Sequence, residues 1–188
     1  MADHGGARLG AEAARRLAAL GVVEIAPGLT DAECARVEAE FGFEFADDHR
    51  AFLSAGVPVG DSWPDWRLGT RKPLRTWLQL PVDGVLFDVE WNEFWDDRWG
   101  RRPTRMKDTL RSARYRLERV PRMVPVFGHR FLPAGRGSFG HPVLSMYQTD
   151  VACYADDLVQ YIGNEFGPEA RRPAVARPTV AFWSDLVQ

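Results

Sequence analysis

The stretch that decides the fold is residues 143–154, VLSMYQTDVACY, in the last quarter of the chain. Val143–Tyr147 and residues 151–154 are apolar runs of the kind that form strands. Only Gln148, Thr149 and Asp150 lie in the connection, and so tight a link joins antiparallel neighbours. The segment therefore predicts a β-hairpin, and Val124 and Val126 predict another strand of the same sheet.

Helical patterns lie on both sides of this hairpin. Downstream, Asp156 or Asp157 can cap a helix that carries Leu158, Tyr161, Ile162 and Phe166. Upstream, Thr104 can cap a helix over residues 104–120 whose apolar positions recur at steps of three and four: Met106, Leu110, Ala113, Leu117 and Val120.

Shorter helices are expected nearer the N-terminus. The first carries Leu9, Ala13, Leu17 and Leu20 and ends at Gly21, and a brief strand is expected at residues 22–25. Thr30 and Glu33 form a capping box for the second helix, and Asp47 or Asp48 can cap a third that ends at Gly56. Helices that flank a mainly antiparallel sheet make an α+β domain.

Residues 84–91 show a different periodicity. Val85, Phe87, Val89 and Trp91 alternate with Leu86, Asp88 and Glu90. Alternation of period two is typical of a half-buried strand. We therefore expect a strand with an acidic second face.

Composition limits the choice of protein class. The chain has 188 residues, of which 45% are hydrophobic, and this suits one domain better than two. It contains no run of 18 apolar residues and begins without the pattern of a signal peptide, so we expect a cytoplasmic protein that does not contact the membrane. Cys34 and Cys153 lie in apolar patterns without other ligands at metal spacing, which favours buried thiols.

Several blocks between residues 28 and 166 resemble the Smi/Knr (SUKH) superfamily. The first block is residues 45–53, FADDHRAFL, and the second is residues 84–103, which include the acidic aromatic stretch 87–103, FDVEWNEFWDDRWGRRP. The others are residues 124–133, 142–150 and 154–166. The resemblance implies a SUKH-like domain over residues 25–188, with its core at 28–166, a helical extension at 1–24 and a tail at 167–188 that packs back. It also implies a protein-binding function without cofactor or catalytic residues. Bacterial members are commonly immunity proteins that neutralise toxins, and fungal relatives act in cell-wall assembly and signalling.

The candidate partner-binding residues are the carboxylates and tryptophans around the acidic stretch. An acidic patch would attract a basic toxin domain, and aromatic side chains would anchor it. The candidates are Asp88, Glu90, Trp91, Glu93, Trp95, Asp96, Asp97 and Asp150. Alternatively, the tryptophans lie in the core and the carboxylates form a solvated face or pair with arginines. Asp150 has a structural alternative as well, since aspartate in a hairpin connection can fix the strand register.

A basic segment directly follows the acidic stretch. Residues 98–122 hold ten Arg or Lys side chains and only two acidic ones, Asp108 and Glu118. A basic helix can bind nucleic acid or an acidic partner, so a nucleic-acid binder or a regulatory scaffold is the alternative function. No helix-turn-helix, zinc-finger or RNA-binding motif accompanies it, and a solvated helix face is the favoured interpretation.

An enzyme would have to use His129 or His141 with a nearby carboxylate. Neither histidine lies in a metal-ligand spacing on a helix, and Ser145 lies in a strand without the Gly-x-Ser-x-Gly elbow of a hydrolase. The sequence therefore favours a binding protein without a metal or other cofactor.

Overall fold

The computed structural model describes residues 5–175 and 179–187. Its helices are α1 (Gly5–Leu20), α2 (Asp31–Phe41), α3 (Asp47–Ala55), α4 (Arg71–Trp91), α5 (Met106–Leu117) and α6 (Leu158–Phe166). Its strands are β1 (Glu24–Ala26), β2 (Val57–Val59), β3 (Met123–Phe127), β4 (Arg130–Pro133), β5 (Val143–Tyr147) and β6 (Asp150–Ala155). Short 3₁₀ turns occur at Asp97–Trp99 and Trp183–Leu186.

The strands form two antiparallel sheets. Strands β3 to β6 make a four-stranded meander in sequence order, while β1 and β2 pair separately. The predicted hairpin is confirmed, with Tyr147 opposite Asp150 and Met146 opposite Val151. The chain is thus a single α+β domain, as the sequence predicts.

The four-stranded sheet is covered on both faces. On one face, Val124, Leu132 and Val143 pack into a first core with residues of α1, α2, α3 and α6. On the other face, Met123, Phe131 and Leu144 pack into a second core with residues of α4, α5 and the C-terminal turn. Neighbouring residues of a strand point to opposite faces, so each strand supplies both cores.

The helix caps confirm some local predictions and correct others. Thr30 and Glu33 make both hydrogen bonds of the capping box, and Asp157 caps α6 by accepting a hydrogen bond from the backbone N–H of Gln160. The N-cap of α3 is Ala46 rather than an aspartate, because Asp48 is buried in the first turn and accepts a hydrogen bond from the N–H of Gly140 instead.

The basic helix is shorter than predicted. It spans Met106–Leu117 instead of residues 104–120, and its N-cap is Arg105 rather than Thr104. Downstream of α6, Phe182 and Trp183 are buried in the second core, and the indole N–H of Trp183 donates to the backbone carbonyl of Pro121 at 2.7 Å. No helix in the described part of the chain is both long and apolar enough to cross a membrane.

The prediction of a strand at residues 84–91 is wrong, because these residues form the second half of the 21-residue helix α4. The buried residues Leu74, Leu78, Pro81, Val85 and Val89 follow one another at steps of three and four, which is the helical period. The four residues that suggest a strand are compatible with this helix, since Val85 and Val89, and likewise Phe87 and Trp91, are one turn apart.

Candidate protein-binding surface

Helix α4 separates the four alternating residues onto two sides. Two residues along a helix correspond to a rotation of about 200°. Val85 and Val89 are therefore fully buried in the second core, whereas Phe87 and Trp91 on the opposite side are 46% and 67% exposed. The outward position of this aromatic pair is a consequence of helical rather than strand geometry.

Asp88 is the one acidic candidate that the fold buries, with 4% of its surface exposed. One of its carboxylate oxygens accepts hydrogen bonds from the backbone N–H and the hydroxyl of Thr149, at 2.8 and 2.5 Å. The other accepts a hydrogen bond from the side-chain amide of Asn92 at 2.6 Å. The assignment of Asp88 to the partner surface is therefore corrected: its carboxylate holds the β5–β6 turn against α4.

The same turn requires a glycine on α4. A Cβ atom on Gly84 would lie 2.8 Å from the Cα of Gln148, closer than van der Waals contact permits. Gln148 itself has a φ of +57°, in the left-handed region that is uncommon for residues other than glycine. Gly84 and Asp88, one helical turn apart, thus dock the hairpin, and Asp88 takes the role in fixing the turn that the sequence suggested for Asp150.

The exposed side of α4 combines apolar and acidic side chains. We call it the α4 outer face; it consists of Leu80, Asp83, Phe87, Glu90 and Trp91. These residues recur at helical intervals and so share one side of the helix. The rings of Phe87 and Trp91 are in contact, with centroids 6.5 Å apart. The carboxylates of Asp83 and Glu90 are exposed and make no hydrogen bond or ion pair with any described residue.

The residues after α4 fold into a compact turn that uses several of the candidates internally. The indole N–H of Trp95 donates to the carbonyl of Gly100 at 2.7 Å, and its ring packs edge-on against the buried Trp99. Asp96 caps the 3₁₀ turn through the N–H of Arg98, whose guanidinium forms an ion pair with the same carboxylate at 2.6 Å. This guanidinium lowers the pKa of Asp96 below its ordinary value. Trp95 and Asp96 thus have structural partners.

The remaining acidic candidates lie at different places on the surface. Glu93 is exposed directly after α4 and has a φ of +58°, and Asp97 is exposed at the start of the 3₁₀ turn. Asp150 is also exposed, but it lies opposite Tyr147 on the hairpin, and these paired residues share the face that points away from Met146 and Val151. Because Met146 and Val151 pack into the second core, Asp150 points away from the side on which α4 lies.

The basic segment is largely occupied by intramolecular contacts. Arg102, for example, donates to the carbonyls of Val89 and Glu93 at 2.7 and 2.8 Å and so satisfies the C-terminal end of α4. Arg98, Arg111, Arg116, Arg119 and Arg122 also make hydrogen bonds to carboxylates or backbone carbonyls. The side chains of Arg101, Arg105, Lys107 and Arg114 are exposed and have no partner among the described residues.

The histidines that an enzyme would use have ordinary structural surroundings. Burial lowers the pKa of both His129 and His141, and the Nδ1 of His141 lies 3.1 Å from the hydroxyl of Thr179. Ser145 accepts a hydrogen bond from Arg130 at 3.1 Å. Within residues 5–175 and 179–187, no three His, Cys, Asp or Glu side chains form a group that could hold a metal ion.

The structure thus brings Glu90 and Trp91 together on the α4 outer face and adds Asp83, Leu80 and Phe87, which the set of candidates lacked. The sequence pattern that could have identified these three residues is the helical spacing of Leu74, Leu78, Pro81, Val85 and Val89. This spacing defines the buried side of the helix and hence the exposed side. Comparisons of the chain with protein-family models, curated proteins and solved structures found no match.

Proposed function

We propose that this protein is a non-enzymatic protein-binding domain whose contact surface is the α4 outer face. The observation that carries the proposal is the exposed, mutually contacting pair Phe87 and Trp91 beside the unpaired carboxylates of Asp83 and Glu90. Large aromatic side chains on a protein surface are typical anchors of protein interfaces. Carboxylates beside them select a partner that presents basic groups.

The charges of α4 also support a role beyond helix stability. Arg71, which is ion-paired with Glu40 of α2, and Lys72 begin the helix, and Glu90 lies in its last turn without a partner among the described residues. A helix macrodipole favours acidic groups at its N-terminus and basic groups at its C-terminus, so these three charges have the unfavourable order. Natural proteins break local rules of this kind at functional or strained sites. The acidic end is the end that carries Phe87 and Trp91.

The resemblance to the Smi/Knr superfamily suggests the kind of partner. We propose an immunity protein that neutralises a toxin domain by occluding it, with the α4 outer face as the contact and Glu93 and Asp97 near its end. Trp95 and Asp96 stabilise the turn at this end of the surface through their intramolecular contacts. Asp88 and Asp150 lie outside the proposed contact.

The test compares one surface variant with one matched control. The tagged protein is used to capture its partner from nuclease-treated lysate of the native host, and the partner is identified by mass spectrometry and purified. Phe87→Ser combined with Trp91→Ser should weaken the affinity for this partner by tenfold or more, since truncation of a central anchor typically costs about 2 kcal/mol. Leu68→Ser combined with Tyr147→Ser removes exposed apolar groups elsewhere and should leave the affinity unchanged.

Two results would contradict the proposal. Equal affinities of wild type and the Phe87/Trp91 variant would exclude the α4 outer face as the contact. If this protein chemically converts the captured partner as a substrate, the non-enzymatic function is excluded.

The second candidate function is nucleic-acid binding through the four unpaired cations of residues 98–122. Lys107 and Arg114 are seven residues apart and share a side of α5. If this surface binds nucleic acid, affinity for a duplex should fall steeply with salt, and Lys107→Glu with Arg114→Glu should abolish it. The Phe87/Trp91 variant should then bind the duplex like wild type, so the same set of proteins separates the two functions.

A further inference from the structure

Buried polar atoms without hydrogen-bond partners concentrate at one place on the four-stranded sheet. In the described part of the chain, five buried side-chain atoms have no hydrogen bond, and three of them are Arg130 Nε, Tyr161 OH and Glu165 Oε2. Tyr161 and Glu165 are one turn apart on α6, and Arg130 lies on β4 beneath them. A buried polar group without a partner is costly, so three in one cluster call for an explanation.

The contacts around Arg130 keep it from satisfying its neighbours directly. Its guanidinium carbon lies 3.9 Å from the centroid of the Tyr154 ring, and its Nη1 donates to the Ser145 hydroxyl at 3.1 Å. These two contacts fix the plane of the guanidinium. Its Nε is left 3.6 Å from Glu165 Oε2, which is an ion-pair distance but too long for a hydrogen bond.

The three atoms have complementary chemistry. The Nε–H of Arg130 can only donate, the carboxylate of Glu165 accepts, and the hydroxyl of Tyr161 can do both. Burial raises the pKa of Tyr161, so this hydroxyl keeps its proton. A water molecule both accepts and donates hydrogen bonds, so it has the chemistry to satisfy all three.

We propose that the cluster of Arg130, Tyr161 and Glu165 binds a single ordered water molecule between α6 and the four-stranded sheet. The water accepts from Arg130 Nε, donates to Glu165 Oε2 and exchanges a hydrogen bond with the Tyr161 hydroxyl, which is the usual number of contacts for a buried water. It links a helix of the first core to the sheet beside the ion pair of Arg130 with Glu165. This inference does not depend on the proposed function.

The first test measures whether the substitution Tyr161→Phe destabilises the folded protein. If Tyr161 is hydrogen-bonded to water, Tyr161→Phe removes a hydrogen bond, and the equilibrium constant for unfolding in urea should rise about fivefold. If the hydroxyl is an unbonded polar group in an apolar site, its removal should leave this constant unchanged or lower it, and the proposal is overturned. Tyr147→Phe is the matched control, because its exposed hydroxyl should have no effect in either case.

The second test detects the water itself. Water-selective NOESY and ROESY spectra should each show a cross-peak between Arg130 Hε and water. The two cross-peaks should have opposite signs, as expected for a bound water molecule. The Tyr161→Phe variant distinguishes the water from an exchanging tyrosine hydroxyl: the cross-peak should persist, because Arg130 and Glu165 remain. A missing cross-peak in the wild type, or one that disappears in this variant, would assign the cluster to direct contacts and overturn the proposal.

Discussion

Both sides of α4 combine apolar and acidic residues, but the two sides have opposite roles. The inner side places Val85 and Val89 in the second core and uses Asp88 to hold the β5–β6 turn. The outer side exposes Phe87, Trp91 and Glu90. Asp88 and Glu90 are separated by a single residue. The carboxylate of Asp88 accepts three hydrogen bonds, whereas that of Glu90 has none with any described residue.

The number of charged residues in a segment therefore says little about which charged side chains are available to a partner on the surface. An acidic residue is available to a partner only if its helix turns it outward and no neighbouring group binds it. The same holds for the basic segment 98–122, where six of the ten cations bind carboxylates or carbonyls within the domain.

The largest expected effect comes from a charge on the inner side. Val89 is fully buried, so Val89→Asp would place a carboxylate without a partner in the second core and should lower the free energy of unfolding by about 4 kcal/mol or more. Phe87→Asp introduces the same group on the outer side and should change it by less than about 1 kcal/mol. Urea unfolding followed by circular dichroism measures both. Equal losses would mean that the two sides are not distinct.

Removal of the Asp88 carboxylate should have the next largest effect. Asp88→Ala leaves the partly buried N–H of Thr149 without its acceptor and should lower the free energy of unfolding by about 2 kcal/mol. Asp88→Asn keeps an acceptor oxygen and should lose less. The control is Asp83→Ala on the outer side, for which we expect a change within about 0.5 kcal/mol. A neutral Asp88→Ala would show that the carboxylate does not hold the turn.

A smaller effect is expected at the contact between Gly84 and the hairpin. Gly84→Ala gains up to about 1 kcal/mol of helix propensity but places its Cβ against the backbone of Gln148, so we expect a net loss of about 1–2 kcal/mol. Gly163→Ala in α6 is the matched control, because no atom lies within 4 Å of its added Cβ. It should stabilise the protein. Thermal unfolding of both variants shows whether each substitution raises or lowers the stability. A stabilising Gly84→Ala would contradict the close approach of Gly84 to the backbone of Gln148.

The smallest effect on stability is expected on the outer side itself. Phe87→Ser combined with Trp91→Ser removes two exposed rings and should change the free energy of unfolding by less than about 1 kcal/mol. The same urea titration measures it. A loss as large as that of Asp88→Ala would show that these rings stabilise the fold and would remove the basis for their role as partner anchors.

Much of the local structure could be predicted from the sequence because the signals are local. The Thr30–Glu33 capping box and the spacing of Leu9, Ala13 and Leu17 depend on residues within a turn or two of each other. The hairpin at residues 143–155 follows in the same way from two strand-like runs and a short connection.

Helix α4 could not be predicted in this way because two of its residues disfavour helices. Pro81 lies in the helix interior, where it cannot donate the usual backbone hydrogen bond, and Gly84 lowers helix propensity. Tertiary contacts compensate: Pro81 is buried with its neighbours Leu78 and Val85, and Gly84 allows the hairpin to approach. Since these contacts come from residues far away in the chain, no local pattern contains them.

The sequence by itself therefore determined the α+β class, the hairpin and the caps at Thr30 and Asp157, because these depend on propensity and spacing over a few residues. It also placed Glu90, Trp91 and Glu93 in one acidic aromatic stretch. Only the tertiary structure decided which of these side chains face outward and which acidic residues are already bound. The physical reason is that burial and hydrogen bonding depend on the packing of α4 against a sheet whose strands lie more than thirty residues further along the chain.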